Sequence, residues 1–274
     1  MIDSKFNDFI EIVKRLRKEC PWDKEQTNDS IKANTIEEAY EVVEAIDHKN
    51  YEELKKELGD LLLHVVFHTQ IAEENSHFNI NDVIDSIKEK LIRRHPHVFG
   101  EVQVADTNEV LKNWEEIKLG EGRESVLDGV PINLPALQRA HRLQEKAAKV
   151  GFDWEKKEDV WKKVIEEIEE MHEIEKIKSQ NLSADRQDPN NNIDEDLRVK
   201  LEKEVGDVFF AMVNYARFLN INPEDALRRT NEKFINRFNY VQKRVKETGK
   251  AINESNLEEM DKYWNESKKL PEFN

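Results

Sequence analysis

The sequence predicts an all-α protein built from two related helical bundles. Gly and Pro, which interrupt helices, account for only 8 and 7 of the 274 residues, and 37% of the residues are charged. This composition is typical of a mainly helical soluble chain. The pattern E-E-x-x-E followed by E-x-G-D occurs twice, with Glu204 lying 147 positions after Glu57. A repeat of this length predicts two domains of the same fold in tandem.

The first predicted helix spans residues 3–19, where apolar side chains recur at the three- and four-residue spacing of one helix face. The next helix is predicted over residues 36–47. We expect Thr35 to cap its N-terminus, with Glu38 three residues later at the capping-box position.

Two longer helices are predicted over residues 51–74 and 80–94. In the first of them apolar residues recur at i, i+4, i+7 and i+11, and the second copy repeats this spacing at the same offset. These residues are Leu54, Leu58, Leu61 and Val65 in one copy and Leu201, Val205, Val208 and Met212 in the other. Such a stripe predicts helix-on-helix packing. The small residues Gly59 and Gly206 predict a close approach of two helices there.

The chain is expected to contain a first domain over residues 1–119, a linker over 120–135 and a second domain over 136–274. Clustered Gly and Pro residues indicate the linker. The second copy also has a longer segment between the two halves of its acidic pattern, rich in Ser, Asn and Asp. We expect residues 179–196 there to form a polar loop without regular structure.

Charge and composition disfavour several classes of function. The formal net charge of −15 disfavours nucleic acid and anionic membrane surfaces as partners, because both require basic patches. Cys20 is the single cysteine, so no internal disulfide can form. No apolar segment has the length of a signal core or a membrane span. We therefore expect a cytoplasmic protein.

Carboxylates spaced three residues apart are the strongest indication of chemistry. Glu167 and Glu170 share one helix face, and Glu204 and Asp207 share another. If the two helices pack antiparallel, the four side chains converge, and they stay ionised only with cations among them. Ligation by oxygen alone selects Mg²⁺ or Mn²⁺. Single E-x-x-E pairs arise often by chance in an acidic chain, but the repeated E-x-G-D inside an apolar stripe does not.

Further motifs accompany the acidic repeat: Cys20–Thr27 (CPWDKEQT), Arg94–Gly100 (RHPHVFG), and Asn231–Phe234 (NEKF) followed by Arg237 and Phe238. With these motifs the chain resembles, over nearly its whole length, the tandem-repeat MazG family of the all-α NTP pyrophosphatase superfamily. The resemblance implies Mg²⁺-dependent hydrolysis of NTPs or dNTPs at the α-phosphorus, giving a nucleoside monophosphate and pyrophosphate. It also implies a homodimer, and a role either in nucleotide-pool house-cleaning or in control of the pool of the alarmone ppGpp.

The resemblance assigns roles to residues. The metal ligands would be Glu167, Glu170, Glu204 and Asp207, matched in the first copy by Glu38, Glu41, Glu57 and Asp60. Glu166 would polarise the attacking water. Together with the two metal ligands on the same helix, the catalytic residues would be Glu166, Glu167 and Glu170. Substrate contacts would come from Lys200, Asn214, Asn231, Lys233, Arg237, Trp264 and Lys268. Lys233 and Arg237 lie one turn apart and are expected to clamp phosphate oxygens. Trp264 is expected either to stack on a base or to pack in a core.

The two copies are not expected to be equally active. The second copy has Asn214 and Asn231, where the first has Phe67 and Lys88. Because polar groups are needed to bind substrate, and because the family places activity chiefly in the C-terminal repeat, we predict that the second copy is the main catalytic site. The first copy keeps its carboxylates, so its own activity is left open.

Two other functions fit parts of the sequence. A di-iron bundle enzyme uses Glu-x-x-His pairs, a spacing found at 74–77 and 169–172, although these pairs are not equivalent in the repeat. A non-catalytic module that binds nucleotides is the second alternative, which the intact carboxylates disfavour. His64 and His68 lie one helical turn apart, and we expect them to be packing or surface residues rather than metal ligands.

Overall fold

Helices form every regular element in the computed structural model, whose described residues are 2–122, 124–184 and 193–271. No strand occurs within these ranges, which confirms the all-α prediction. The chain divides into two compact units, Met1–Trp114 and Glu115–Asn274. Of the helices that the structure describes, none has both the length and the apolar character needed to cross a membrane.

The helices of the first unit agree well with the predicted pattern. They are α1 (Ile2–Glu19), α2 (Pro21–Glu25), α3 (Asn28–Asp47), α4 (Tyr51–Glu74), α5 (Ile80–Arg94), α6 (Pro96–Phe99) and α7 (Thr107–Gly120), which crosses the unit boundary. The predictions for α1, α4 and α5 are confirmed. Both α4 and α5 follow an Asn whose side chain accepts a backbone N–H bond, Asn50 at 3.2 Å and Asn79 at 2.8 Å.

The second unit repeats the arrangement of two long helices packed side by side. Its elements are α8 (Ala136–Lys149), α9 (Lys157–Ala184), α10 (Ile193–Phe218), α11 (Pro223–Glu247), a 3₁₀ turn (Ile252–Glu254) and α12 (Leu257–Ser267). α9 packs against α10 as α3 packs against α4. The end of α7 and the start of α8 lie at the two edges of the predicted linker.

The predicted start of the second helix is wrong. α3 begins at Asn28, because Thr27 Oγ1 accepts the Ser30 N–H at 3.1 Å and Ser30 Oγ accepts the Thr27 N–H at 2.9 Å. These reciprocal bonds form a complete capping box. Thr35 therefore lies inside α3, where its hydroxyl bonds the Ile31 carbonyl at 3.3 Å.

The predicted loop over residues 179–196 is wrong at both ends. α9 continues through residues 179–184, and α10 already includes residues 193–196. Residues 185–192 lie outside the described part of the chain. Ser, Gln and Asn each weaken a helix by only about 0.5 kcal/mol, whereas Gly and Pro interrupt it. Neither Gly nor Pro occurs in this segment before Pro189, so α9 is not interrupted.

The predicted close approach at Gly59 and Gly206 is also wrong for the described residues. A Cβ placed on either glycine would meet no atom within 4 Å, and both glycines are exposed. Glu57 is buried, and a residue two positions later lies about 200° further around the helix. The E-x-G spacing therefore turns the carboxylate toward the neighbouring helix and the glycine toward solvent.

Each unit has its own apolar core. In the first unit α1 packs against α4, and the core contains Ile10, Val13, Ile31, Val66, Phe67 and Ile71. Arg17 lies beside this core with 8% of its surface exposed, and it donates to Glu74 Oε2 at 2.6 Å and to the Gln26 carbonyl at 2.9 Å. In the second unit the buried residues include Val160, Val164, Ala211 and Val213, and a second cluster of Val241, Val245 and Tyr263 joins α11 to α12.

Candidate active site

Three of the four predicted metal ligands of the second unit converge. Glu167 lies on α9, and Glu204 and Asp207 lie one turn apart on α10. One carboxylate oxygen from each lies within 4.8 Å of the others. Glu170 is not in this group, although desolvation and the neighbouring charge of Glu167 raise the pKa of Glu170 above its usual value.

A corresponding cluster in the first unit joins Glu38 and Glu41 of α3 to Glu57 of α4, again within 4.8 Å. Asp60 is the predicted ligand that is not in this group. Desolvation and hydrogen bonds with Glu53 and Glu41 raise the pKa of Glu57 to about 7. Desolvation and the charge of Glu41 raise the pKa of Glu38 as well. Crowded carboxylates behave in this way because their ionised forms repel one another.

Both clusters fit a hard divalent cation. Their donors are carboxylate oxygens, without the His or Cys ligands that zinc prefers. A cation at the centre would favour the ionised forms that desolvation and mutual repulsion disfavour. The donor set therefore suits Mg²⁺ or Mn²⁺.

A lysine accompanies the second cluster. Lys163 Nζ lies 2.7 Å from Glu166 Oε1 and 2.7 Å from Glu167 Oε1. The hydrogen bond to Glu166, and to a smaller extent the hydrogen bond to Glu167, raises the pKa of Lys163 above its usual value. Glu167 is only 7% exposed, so this ammonium neutralises a carboxylate that is largely removed from water. The chain itself therefore supplies a positive charge to the second cluster.

A cavity of about 710 Å³ opens beside this cluster. We name it the α8–α10 cavity, because α8 and α10 line it together with α9, residues 151–154 and Leu127. Its polar residues include Lys163, Glu167, Asp207 and Asn214, and its apolar wall includes Leu127, Phe152, Trp154 and Phe210. A mostly apolar cavity of this size with a few converging polar groups is typical of sites for small molecules.

The end of α8 positions part of the cavity wall. The Gly151 N–H bonds the Ala148 carbonyl at 3.0 Å, and the Phe152 N–H bonds the Ala147 carbonyl at 3.1 Å. This pair of bonds is a Schellman motif. The motif requires a positive φ at Gly151, and the φ of Gly151 is +85°. Glycine adopts this conformation without strain. The chain leaves α8 at this turn and lines the cavity with residues 152–154.

An ion pair joins that segment to α10. Arg217 Nη1 donates to Asp153 Oδ2 at 2.9 Å, and Nη2 donates to Asp153 Oδ1. The same guanidinium donates to Asn214 Oδ1, from Nε at 3.0 Å and from Nη2 at 2.8 Å. Because these bonds fix Oδ1 as the acceptor, the Asn214 side chain presents its NH₂ group as a donor at the cavity.

The family model of the MazG nucleotide pyrophosphohydrolase domain matches residues 26–99 and 155–242. The chain belongs to this family. It is 41% identical to the nucleoside triphosphate pyrophosphohydrolase/pyrophosphatase MazG of Thermotoga maritima, over 96% of the chain and 95% of that protein. It is 41% identical to the nucleoside triphosphate pyrophosphohydrolase of Escherichia coli K12, over 97% and 98%. It is 47% identical to YabN of Bacillus subtilis, over 96% of the chain and 52% of that protein.

Each match contains one carboxylate cluster. We therefore call residues 26–99 the first MazG domain and residues 155–242 the second MazG domain. Their occurrence in two all-helical units confirms the predicted tandem architecture. Part of the cavity wall, including α8, lies outside the second match.

The first MazG domain differs from the second at positions that line the α8–α10 cavity. Phe67 and His64 lie at the positions equivalent to Asn214 and Ala211. Phe67 is 6% exposed and belongs to the core, and His64 Nδ1 lies 3.1 Å from Thr35 Oγ1. A polar cavity wall in the second MazG domain is thus packed core in the first.

The contacts of the remaining histidines and acids give no support to the di-iron alternative. His68 Nε2 lies 2.8 Å from Thr35 Oγ1, and its Nδ1 lies 2.7 Å from Asn28 Oδ1. Protein contacts thus use both nitrogens of His68, as expected for a packing residue. Glu74 accepts two hydrogen bonds from Arg17. Within the described ranges, neither carboxylate cluster of a MazG domain includes a His, although His64 Nε2 lies 3.9 Å from Glu38 Oε1.

The predicted substrate residues fall into separate groups. Asn214 lines the α8–α10 cavity. Trp264 is half-buried beside the α11–α12 core, with its ring 5.4 Å from Phe234 and 6.0 Å from the Arg237 guanidinium carbon. This favours the packing alternative for Trp264. Lys200, Asn231, Lys233 and Lys268 are exposed and do not line the cavity. The substrate roles of these residues stay predictions.

Several residues that line the cavity were not predicted from the sequence. Asp153 and Arg217 are 64 positions apart, and no local pattern marks them as partners. Lys163 was detectable, because it stands four residues before Glu167 and therefore on the same helix face. The aromatic residues after Gly151 also carried a signal, since glycine ends α8 immediately before them.

Proposed function

We propose that the chain hydrolyses nucleoside triphosphates, NTPs or dNTPs, to nucleoside monophosphates and pyrophosphate in its second MazG domain. One observation carries this proposal: a three-carboxylate cluster opens directly onto a cavity of about 710 Å³. The carboxylates suit the cation that a triphosphate requires, and the cavity suits a nucleoside. The relatives from Thermotoga maritima and Escherichia coli are named as enzymes of this activity.

Glu167, Glu204 and Asp207 would hold Mg²⁺ or Mn²⁺, with Glu170 close by. Such an ion supplies charge neutralisation for the triphosphate and lowers the pKa of water. The oxygen of water forms a bond to the α-phosphorus, and the bond from that phosphorus to the bridging oxygen breaks. Pyrophosphate leaves with the electron pair, and Glu166 is the proposed acceptor of the water proton.

The cavity residues orient the substrate in this proposal. The Asn214 NH₂ group donates to the nucleotide, and Phe152 and Trp154 offer apolar faces to the base and sugar. Lys233 and Arg237 remain proposed phosphate ligands, although neither lines the α8–α10 cavity. In the first MazG domain the position of Asn214 is occupied by Phe67, a buried core residue, which supports assigning turnover to the second.

Matched substitutions test the proposal. We expect Glu170→Gln to reduce pyrophosphate release from Mg²⁺ and NTP or dNTP at least a hundredfold, and Glu41→Gln to leave most of it. Full activity in Glu170→Gln would show that Glu170 is not needed, and full activity in Glu204→Gln, which changes the cluster itself, would place the chemistry elsewhere. Identification of the products is essential, since release of phosphate instead of pyrophosphate would refute attack at the α-phosphorus. No product from any triphosphate with Mg²⁺ or Mn²⁺ would favour a non-catalytic module.

We further propose that the chain is a homodimer that removes unwanted nucleotides in the cytoplasm and binds neither nucleic acid nor membrane. Exposed apolar side chains on α10, Phe209 at 59%, Phe210 at 47% and Met212 at 41%, support a second copy as partner. Light scattering tests the dimer, and a monomer at micromolar concentration would contradict it. A panel of ordinary and modified triphosphates tests the role, which predicts higher kcat/KM for the modified ones.

A further inference from the structure

Lys163 distinguishes the second MazG domain from the first. Lys163 stands four residues before Glu167, and the equivalent position before Glu38 is Asn34. The structure gives the second cluster an ammonium at 2.7 Å from Glu167 Oε1. Among the described contacts of the first cluster, the nearest basic group to Glu38 is His64, at 3.9 Å. Residues 26–99 and 155–242 thus share their acids but not this cation.

The Lys163 contact differs from the other lysine pairs on the helix surfaces. Lys162 pairs with Asp159 at 2.8 Å, and those two side chains are 77% and 38% exposed. Lys163 instead binds two carboxylates at once, and the side chain of one of them, Glu167, is only 9% exposed. An exposed pair contributes little, whereas a cation beside a desolvated carboxylate interacts more strongly with it.

We propose that Lys163 is a built-in counter-ion that competes with divalent cations for Glu167 and then moves to the triphosphate. This inference rests on the proposed function, because it assigns the metal and the nucleotide to the same site. Lys163 also lines the α8–α10 cavity, so its ammonium can reach a ligand there without leaving the site. The second MazG domain then takes up its cation together with the nucleotide.

The charges in the site explain the exchange. Before substrate binds, the ammonium neutralises Glu166 and Glu167 and weakens the attraction of the cluster for a free divalent cation. A metal–triphosphate complex brings both a cation for the carboxylates and anionic oxygens for the ammonium. Lys163 then becomes a donor to phosphate oxygens, where negative charge must be stabilised during hydrolysis.

Lys163→Met should change metal affinity and turnover in opposite directions. Affinity for Mn²⁺ alone should rise roughly five- to tenfold, because a positive charge beside the cluster is removed. The value of kcat with saturating metal–nucleotide should fall roughly ten- to hundredfold, because a donor to the phosphates is lost. A lysine that only supports the helix would not raise metal affinity when it is removed.

The binding experiment uses the full chain with Glu41→Gln in every sample, so that the first cluster contributes less. Free Mn²⁺ is counted by electron paramagnetic resonance for the parent, Lys163→Met, Lys163→Arg and the control Lys162→Met. We expect tighter binding in Lys163→Met alone, with Lys163→Arg retaining the weak binding of the parent. Equal or weaker binding in Lys163→Met would overturn the competition, and circular dichroism verifies that each variant is folded.

The turnover experiment uses the same substitutions without Glu41→Gln. Lys163→Met should lose kcat while Lys163→Arg recovers part of it, and Lys162→Met should match the parent. Unchanged kcat in Lys163→Met would overturn the transfer to phosphate. If the parent releases no pyrophosphate at all, the proposed function fails, whereas the Mn²⁺ measurement still decides the competition.

Discussion

Replacement of Arg217 by Met tests whether the ion pair with Asp153 orders the α8–α10 cavity. The two side chains are 16% and 26% exposed, so the pair lies between a buried and a surface salt bridge. Breaking a buried pair costs about 3–5 kcal/mol and breaking an exposed one about 0–1 kcal/mol. We therefore expect Arg217→Met to destabilise the second unit by about 2 kcal/mol, which corresponds to a fall in Tm of about 4–8 °C.

The same change should affect substrate binding. Without Arg217, the Asp153 carboxylate lies at the cavity without its partner and repels a triphosphate, and the Asn214 amide loses the bonds that fix its orientation. We expect kcat/KM to fall roughly tenfold, mainly through KM, which equals a loss of about 1.4 kcal/mol in transition-state stabilisation.

The control is Arg198→Met on the same helix. Arg198 pairs with Glu195 at 2.7 Å, and these side chains are 59% and 62% exposed. We expect this variant to change Tm by less than about 2 °C and KM not at all. Thermal unfolding and steady-state kinetics measure both variants. If Arg217→Met and Arg198→Met have the same Tm and KM, the Asp153–Arg217 pair does not order the cavity and our reasoning is wrong.

Three further predictions concern the turn after α8, the buried arginine and the first cluster. Gly151→Ala places a side chain at a residue whose φ is +85°, so it should lower the free energy of unfolding by about 1–2 kcal/mol and raise KM. The control Gly120→Ala should change neither quantity. Calorimetry measures the stability of both variants, and steady-state kinetics measures KM. Arg17→Met should destabilise the first unit by about 2–4 kcal/mol in urea unfolding, against less than about 1 kcal/mol for the exposed Arg15→Met. The pKa of Glu57 is raised from 4.5 to about 7, so between pH 4.5 and pH 7 the folded state binds more protons than the unfolded state. Stability without divalent ions should therefore fall as pH rises from 4.5 to 7, and Glu57→Gln should reduce the fall in Tm; an unchanged pH profile would contradict the shift.

The sequence was sufficient to predict the long helices, because their signals are local. α4 and α5 combine a regular apolar spacing with an Asn immediately before the first turn. The start of α3 was missed because Thr27 and Thr35 both precede suitable residues, and the earlier one adds two turns of helix. Residues 179–184 were missed because their polar composition is typical of loops, although such residues can continue a helix that already packs against a neighbour.

The carboxylate clusters could be anticipated because a three-residue spacing places side chains on one helix face. The sequence did not indicate which three of the four acids would converge, since Glu170 is outside one cluster and Asp60 is outside the other. The α8–α10 cavity was not predictable in the same way. It brings together Leu127, Phe152 and Asn214, which lie far apart along the chain and meet only through tertiary packing.

The short connection between α3 and α4 has a consequence for how the chain folds. Residues 48–50 alone separate the two helices, so Glu38, Glu41 and Glu57 are brought together by the closure of one hairpin. Contacts between residues so near in sequence form rapidly. In this hairpin, however, closure also brings three carboxylates close together, and their mutual repulsion slows it. A divalent cation present during refolding should therefore increase the folding rate of this hairpin as well as the stability of the finished unit. If the first MazG domain binds such a cation, the rate at which this domain folds will depend on the supply of metal.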